Sequence, residues 1–126
     1  MNWANWIGIG SIMGFIAVAC GAFGAHGLKD RLDPQEMAIF ETAARYQMFH
    51  ALALLAVGLL SLRVESVWTT AAGWCFCGGI LLFSGSLYAL VFSGIRGLGA
   101  ITPLGGLGFL GGWLCLAVAA FRISLA

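Results

Sequence analysis

Charged side chains are scarce in this sequence. Its 126 residues include six Lys or Arg and five Asp or Glu, which is 9% of the chain, whereas soluble domains carry about 25%. The mean hydropathy is +0.99. Such a composition excludes a soluble globular enzyme and a disordered chain, because too few polar residues are available to cover a surface in water. A net charge of +1 without a basic patch also excludes a nucleic-acid binder.

The sequence also lacks the alternation of apolar and polar residues that a lipid-facing β-barrel needs. It has instead four long apolar segments, and Arg45 is the one charge inside them. A helix needs about 20 apolar residues to cross about 30 Å of hydrocarbon. The sequence therefore predicts an all-α membrane protein whose residues 1–126 form one domain, a compact up-down bundle of four transmembrane helices. These cover residues 3–25, 43–62, 67–92 and 102–121.

Motifs that would indicate catalysis or a cofactor are missing. The chain has no Walker motif, nucleophile elbow, His-Glu-x-x-His or paired catalytic carboxylates, so we expect neither an enzyme nor a bound cofactor. Each of the four cysteines lies in an apolar segment and is interpreted as a small hydrophobe. No Lys or Arg precedes the first apolar segment, which favours a retained helix over a signal peptide.

Two proline-containing segments indicate where helices begin. Asp33 and Glu36 flank Pro34 in the pattern of an N-cap followed by a first turn, and Thr102-Pro103 repeats it before the last segment. No Gly or Pro interrupts residues 35–57. The second helix then either begins at Pro34, outside the hydrocarbon, or follows a separate short interfacial helix over residues 34–44.

Small residues recur at helical spacing and predict close helix packing. Glycines also make the third loop, near residues 94–99, a flexible connection. The predicted packing faces are Gly10, Gly14, Ala17, Gly21 and Ala25 in the first segment, Gly73, Cys77, Ser84 and Tyr88 in the third, and Gly105, Gly108, Gly112, Cys115 and Ala119 in the fourth.

Aromatic and basic residues indicate the two membrane faces. Trp3, Trp6 and Trp68 are predicted at one interface and Tyr46 and Tyr88 at the other, while Trp113 is assigned to packing. The first and third loops lie on the same membrane face, which we call the loop-one face and which carries four Lys or Arg. The opposite face, which we call the loop-two face, carries two. The positive-inside rule then places the loop-one face in the cytoplasm and both termini outside.

Polar residues near the loop-one face form a candidate ligand-binding site. Tyr46 and His50 are four residues apart and share a helix face, and polar groups at membrane depth are costly unless they contact each other. The alternatives are hydrogen bonds to neighbouring helices without a ligand, and haem or metal binding by His26 and His50. The predicted site comprises His26, Arg45, Tyr46, His50, Tyr88 and Arg96.

Four segments of the chain resemble signatures of the transmembrane-protein-256-like family, also called the domain of unknown function 423 family. They are residues 21–28 (GAFGAHGL), 45–52 (RYQMFHAL), 82–88 (LFSGSLY) and 101–106 (ITPLGG). The resemblance implies a small four-helix membrane protein, of the bacterial inner (plasma) membrane for bacterial members. It implies no activity, substrate or cofactor.

Together these patterns predict a structural or accessory bundle that packs with itself, as a homo-oligomer, or with a larger membrane complex, among membrane lipids and without nucleic acid. The alternative is a module that binds or transports a lipid or small amphiphile through the polar residues of the loop-one face.

Overall fold

The computed structural model describes residues 1–125, and this part of the chain is helical, without strands. All four long helices are long and apolar enough to cross a membrane, which confirms the predicted class. A short 3₁₀ helix, Arg96–Ala100, lies in the third loop. The long helices are α1 (Trp3–His26), α2 (Pro34–Ser61), α3 (Val67–Ser93) and α4 (Thr102–Leu125).

Helix α2 is continuous from Pro34, which confirms the first of the two alternatives; a separate interfacial helix over residues 34–44 is wrong. The Asp33 carboxylate accepts the backbone N–H of Glu36 at 2.8 Å, and Pro34 occupies the first turn. Its 28 residues extend about 42 Å at 1.5 Å per residue, against about 30 Å of hydrocarbon. The first turns of α2 therefore project beyond the hydrocarbon on the loop-one face.

The predicted cap at Thr102 is wrong. Thr102 is the first residue of α4, and its hydroxyl lies 2.6 Å from the Ser86 hydroxyl of α3.

The third loop is also more regular than its glycines predict. Gly94 ends α3 with a φ of 71°, a left-handed conformation that glycine adopts without strain, and the 3₁₀ helix follows two residues later.

The helices form a row in chain order rather than a closed square. Helix α1 packs on α2, α2 on α3 and α3 on α4, while α4 touches α2 over a small area. Within the apolar 18-residue stretch of each helix, half of the residues of α2 are buried inside the bundle, against 17% of those of α1. Helices α2 and α3 are thus central, and α1 and α4 present broad faces to the surrounding lipid.

The hydrophobic core lies where the second half of α2 meets the other three helices. Leu54, Phe76 and Phe109 form its centre with Trp6, which is only 1% exposed. Trp6, the fourth residue of α1, is therefore a core residue whose ring packs between helices rather than facing lipid. The reason is a partner on α3: Gly73 leaves room for the indole ring directly against the backbone.

Small residues hold α4 against α3 as predicted. A Cβ added to Gly108 would lie 3.1 Å from the carbonyl oxygen of Cys75, and one added to Gly112 would lie 2.6 Å from the ring of Phe76. Gly105 likewise faces the backbone of Phe83. The two helix axes can approach closely because no side chain separates them.

The predicted packing face of α1 is right in its first half only. Gly10 lies against the backbone of Ala51, where a Cβ would be 2.9 Å from the carbonyl oxygen, and Ala17 is buried. Gly21 and Ala25 face outward instead. Gly24 makes the last contact, under the ring of Phe40. The pattern of small residues over residues 10–25, about four turns of helix, did not reveal which of two adjacent stripes α2 would cover.

Candidate functional site

Gln47 connects three helices at the centre of the bundle. Its side-chain Nε2 donates to the carbonyl oxygen of Met13 on α1 at 3.0 Å, and its Oε1 accepts the Tyr88 hydroxyl of α3 at 2.9 Å. The residue is 3% exposed. Both ends of the amide are thus paired inside the chain, as the apolar surroundings require.

Two hydroxyls extend this polar interior. Ser84 of α3 is buried and donates to the carbonyl oxygen of Ala43 of α2 at 2.7 Å. The hydroxyls of Ser86 and Thr102 pair across α3 and α4. Each bond crosses between helices, so these groups fix helix register while satisfying their own polar atoms.

His50 is held by hydrogen bonds at both ring nitrogens. The Trp113 indole N–H of α4 donates to Nε2 at 3.2 Å, so Nε2 is an acceptor and Nδ1 donates to the Tyr46 carbonyl oxygen at 2.7 Å. The imidazole lies parallel to the Phe109 ring, with 3.5 Å between the ring centroids. This neutral, stacked imidazole has no free nitrogen to bind a metal or to exchange a proton.

A groove opens beside His50 on the lipid-facing side of α2 and α4. Its volume is about 420 Å³, and its lining is apolar apart from His50 and Trp113. Trp113 is 47% exposed. Its assignment to packing is therefore incomplete, since its indole nitrogen links α4 to α2 and its ring forms one wall of a groove.

The structure separates the residues that the sequence grouped into one site. His26 ends α1 two residues after Gly24, whose neighbour on α2 is Phe40. His50 precedes Ala51, whose neighbour on α1 is Gly10. The axial separation of the two histidines is then roughly 20 Å, at 1.5 Å per residue. The predicted convergence of His26 with His50 is wrong, and the two cannot share a metal ion.

The other predicted residues divide between surface and interior. Tyr46 and His50 do share a face, with ring centroids 6.1 Å apart, and Tyr46 also lies against Phe83 at 4.7 Å. Tyr88 contacts neither of them: it bonds to Gln47 and packs on Phe40. Arg45 and Arg96 are exposed, as is His26.

Arg96 lines a surface groove of about 790 Å³ on the loop-one face, together with Asp33 and Glu36. The Glu36 backbone N–H donated to Asp33 holds the pKa of the Asp33 carboxyl below its ordinary value. Charges of both signs are therefore present here, and none of the predicted residues other than Arg96 lines this groove. The separation removes the geometric basis for a single loop-one binding site.

Sequence reasoning missed Gln47 as the organising residue, although it stands between Tyr46 and His50. The available signal was an uncharged amide well inside an apolar helix, which has to find partners for both a donor and an acceptor.

Among residues 1–125, no group of three or more His, Cys, Asp or Glu is placed to hold a metal ion.

A row of four apolar helices fastened by small residues and buried hydrogen bonds defines this chain as a polytopic integral membrane protein. Comparison with known families agrees. The family model "Protein of unknown function (DUF423)" matches residues 20–106, and the chain belongs to this family. No solved structure matches the chain.

Curated relatives cover nearly the whole chain. A UPF0382 membrane protein of Staphylococcus epidermidis is 47% identical over 116 residues, which are 92% of this chain and 94% of the relative. The UPF0382 membrane protein YwdK of Bacillus subtilis is 44% identical over 115 residues, covering 90% and 94%. These names agree with the membrane class and describe no activity.

Proposed function

We propose that this protein is a structural or accessory component of the bacterial inner membrane that packs against another membrane protein, and that it is not an enzyme. One observation carries the proposal: the polar groups of the bundle interior are paired with one another. Within residues 1–125, Trp68 Nε1 is the single buried side-chain nitrogen or oxygen without a partner, and it lies near the loop-two end of α3.

Intramembrane polar residues often mark a path for ions or substrates, where they face a cavity or each other across it. Here Gln47, His50 and Ser84 each bond to another helix or to their own. Their donors and acceptors are used to hold helices together. The same groups are therefore poor candidates for binding a substrate in transit.

The row arrangement supports a role in assembly. Helices α1 and α4 are the outer members of the row, and their exposed faces carry large apolar side chains, including Phe15 at 76% and Leu114 at 69% exposure. A second copy of the chain or a larger complex could cover either face without opening the core.

Site-specific photo-cross-linking in intact bacterial cells tests the proposal. A photoreactive residue at Phe15 or at Leu114 is expected to give one discrete cross-linked species, which mass spectrometry identifies as a homodimer or a heterologous complex. The same residue at buried Leu54, which is 0% exposed, is the control and should give intramolecular products. Lipid adducts alone at every outward position would contradict a packing role.

A further inference from the structure

A pocket of about 460 Å³ lies at the loop-two face, between the start of α3 and the end of α4. Among residues 1–125, two arginines and no carboxylate line it. The residues that line it are Arg63, Val64, Ser66, Trp68, Ala119, Arg122 and Ile123. The groove on the loop-one face differs, because Asp33 and Glu36 accompany Arg96 there. Of the loop-two pocket and the loop-one groove, the loop-two pocket is therefore the one whose lining favours an anion.

The pocket holds one arginine in a defined position. The Arg122 guanidinium carbon lies over the Trp68 ring, 5.9 Å from the ring centroid, in the geometry of a cation–π contact. A guanidinium stacked on an aromatic face keeps its N–H groups directed outward from its edge, where they can bind a phosphate. Arg63, in the loop that follows α2, provides a second cation on the same lining.

Trp68 adds an independent observation. Its indole Nε1 is buried and has no acceptor among residues 1–125, although buried donors in proteins nearly always have one. Tryptophan N–H groups in membrane proteins commonly meet the polar headgroup level while their rings stay apolar. Because Nε1 is buried, the part of Trp68 that lines the pocket is its apolar ring surface, on which Arg122 lies.

The start of α3 contributes to the same lining. Ser66 caps the helix by accepting the Thr69 N–H at 3.2 Å; the other N–H groups of the first turn have no intrahelical partner, as at every helix start. A helix N-terminus carries a partial positive charge that favours anions. The helix end and the two arginines therefore favour a ligand of negative charge at the hydrocarbon boundary.

We infer that this pocket binds the phosphate-bearing headgroup of an anionic phospholipid, seated between Arg63 and Arg122 against Trp68, with its acyl chains along the apolar surface of α4. We infer a lipid because the pocket opens at the loop-two end of α4. The outward surface of this helix is apolar, with Leu114 and Phe121 each 69% exposed. The site lies on the face opposite to His26, Arg45 and Arg96.

Native mass spectrometry of the purified full chain tests the site. The protein is mixed with equal amounts of dioleoyl phosphatidylglycerol and dioleoyl phosphatidylethanolamine. We expect preferential retention of phosphatidylglycerol, and a loss of about fivefold for each of Arg63→Gln and Arg122→Gln, as for basic residues at an anionic membrane surface. The matched control is Arg45→Gln with Arg96→Gln, which removes two charges from the loop-one face. An equal loss in this control overturns the assignment.

Trp68→Leu keeps an apolar side chain and removes the aromatic face under Arg122. We expect about fivefold weaker retention of phosphatidylglycerol, as for loss of a cation–π contact that positions the guanidinium; unchanged retention overturns the role of the Trp68 ring. Inorganic phosphate at the lipid concentration should not displace the lipid. Displacement would instead identify a site for free phosphate and overturn a lipid site.

A measurement without variants covers the case in which a substitution impairs folding. A phosphatidylglycerol probe with a photoreactive headgroup is expected to label peptides that contain residues 63–68 and 119–123 of the unmodified protein. Labelling confined to the loop-one segments, residues 27–33 and 94–101, overturns the proposal.

Discussion

The side-chain amide of Gln47 joins α2 to α1 and to α3 through its bonds to Met13 and Tyr88. Gln47→Met keeps the length of the side chain and removes both bonds. We expect a loss of about 1 kcal/mol in the free energy of unfolding, since intramembrane hydrogen bonds average about 0.6 kcal/mol each. Denaturation in mixed detergent micelles measures the change.

Tyr88→Phe is the matched control, because it removes one of the two bonds and keeps the ring on Phe40. Its loss should be about half as large. In the Gln47→Met background the Tyr88→Phe change should add little, as expected of two residues that share one bond. Full additivity would show that the two side chains do not interact.

Gly112 provides a test of close packing between α3 and α4. Gly112→Leu inserts a branched side chain where a Cβ alone would lie 2.6 Å from the Phe76 ring. We expect a loss of about 1–3 kcal/mol, the range for overpacked cores, and a lower midpoint in a detergent melting curve.

Gly106→Leu lies on the same helix and is the control, since nothing is within 4 Å of a Cβ at this position. It should melt close to the wild type because its side chain enters lipid. Equal effects of the two substitutions would show that helix propensity, and not contact with Phe76, causes the loss.

At the scale of an element, the start of α2 depends on the Asp33 cap. The pKa of Asp33 is lowered in the folded protein, chiefly by the Glu36 N–H. A lowered folded-state pKa stabilises the protein above the unfolded pKa, near 3.9, and this contribution is lost as pH falls through the folded value. We therefore expect faster amide hydrogen exchange in residues 35–38 below about pH 4.

Asp33→Asn retains a capping oxygen without a titratable proton, so its exchange at residues 35–38 should not show this pH dependence. Asp33→Ala should exchange fast at every pH. Exchange in the wild type that is independent of pH between 3 and 6, after correction for the intrinsic rate, would exclude a role for the carboxylate charge.

For the whole molecule, the distribution of basic residues predicts orientation. Four Lys or Arg belong to the loop-one face, and Arg63 and Arg122 to the other. The positive-inside rule places the loop-one face in the cytoplasm. A C-terminal fusion to a reporter active only in the cytoplasm should therefore be silent, and a periplasmic or extracellular reporter active. The reverse pattern would invert the topology and place the Arg122 pocket in the inner leaflet.

The sequence by itself determined the membrane class, the four helices and most of their limits. Lipid offers no hydrogen-bond partners, so any long apolar segment has to satisfy its backbone internally as a helix. Helix number and approximate length then follow from hydropathy alone. Gly105, Gly108 and Gly112 of α4 were also assigned to the correct face, because they recur at spacings of three and four residues.

Only the tertiary structure decided which polar side chains meet. Helical periodicity gives the face on which a residue lies, but the rotation and axial register of one helix against another are set by contacts of a few ångströms. The Gly24–Phe40 and Gly10–Ala51 contacts fix that register and place His26 roughly 20 Å from His50. The registers of α3 and α4 against α2 bring Gln47 to Tyr88 and Trp113 to His50, because each buried polar atom has to reach a partner on the helix that faces it.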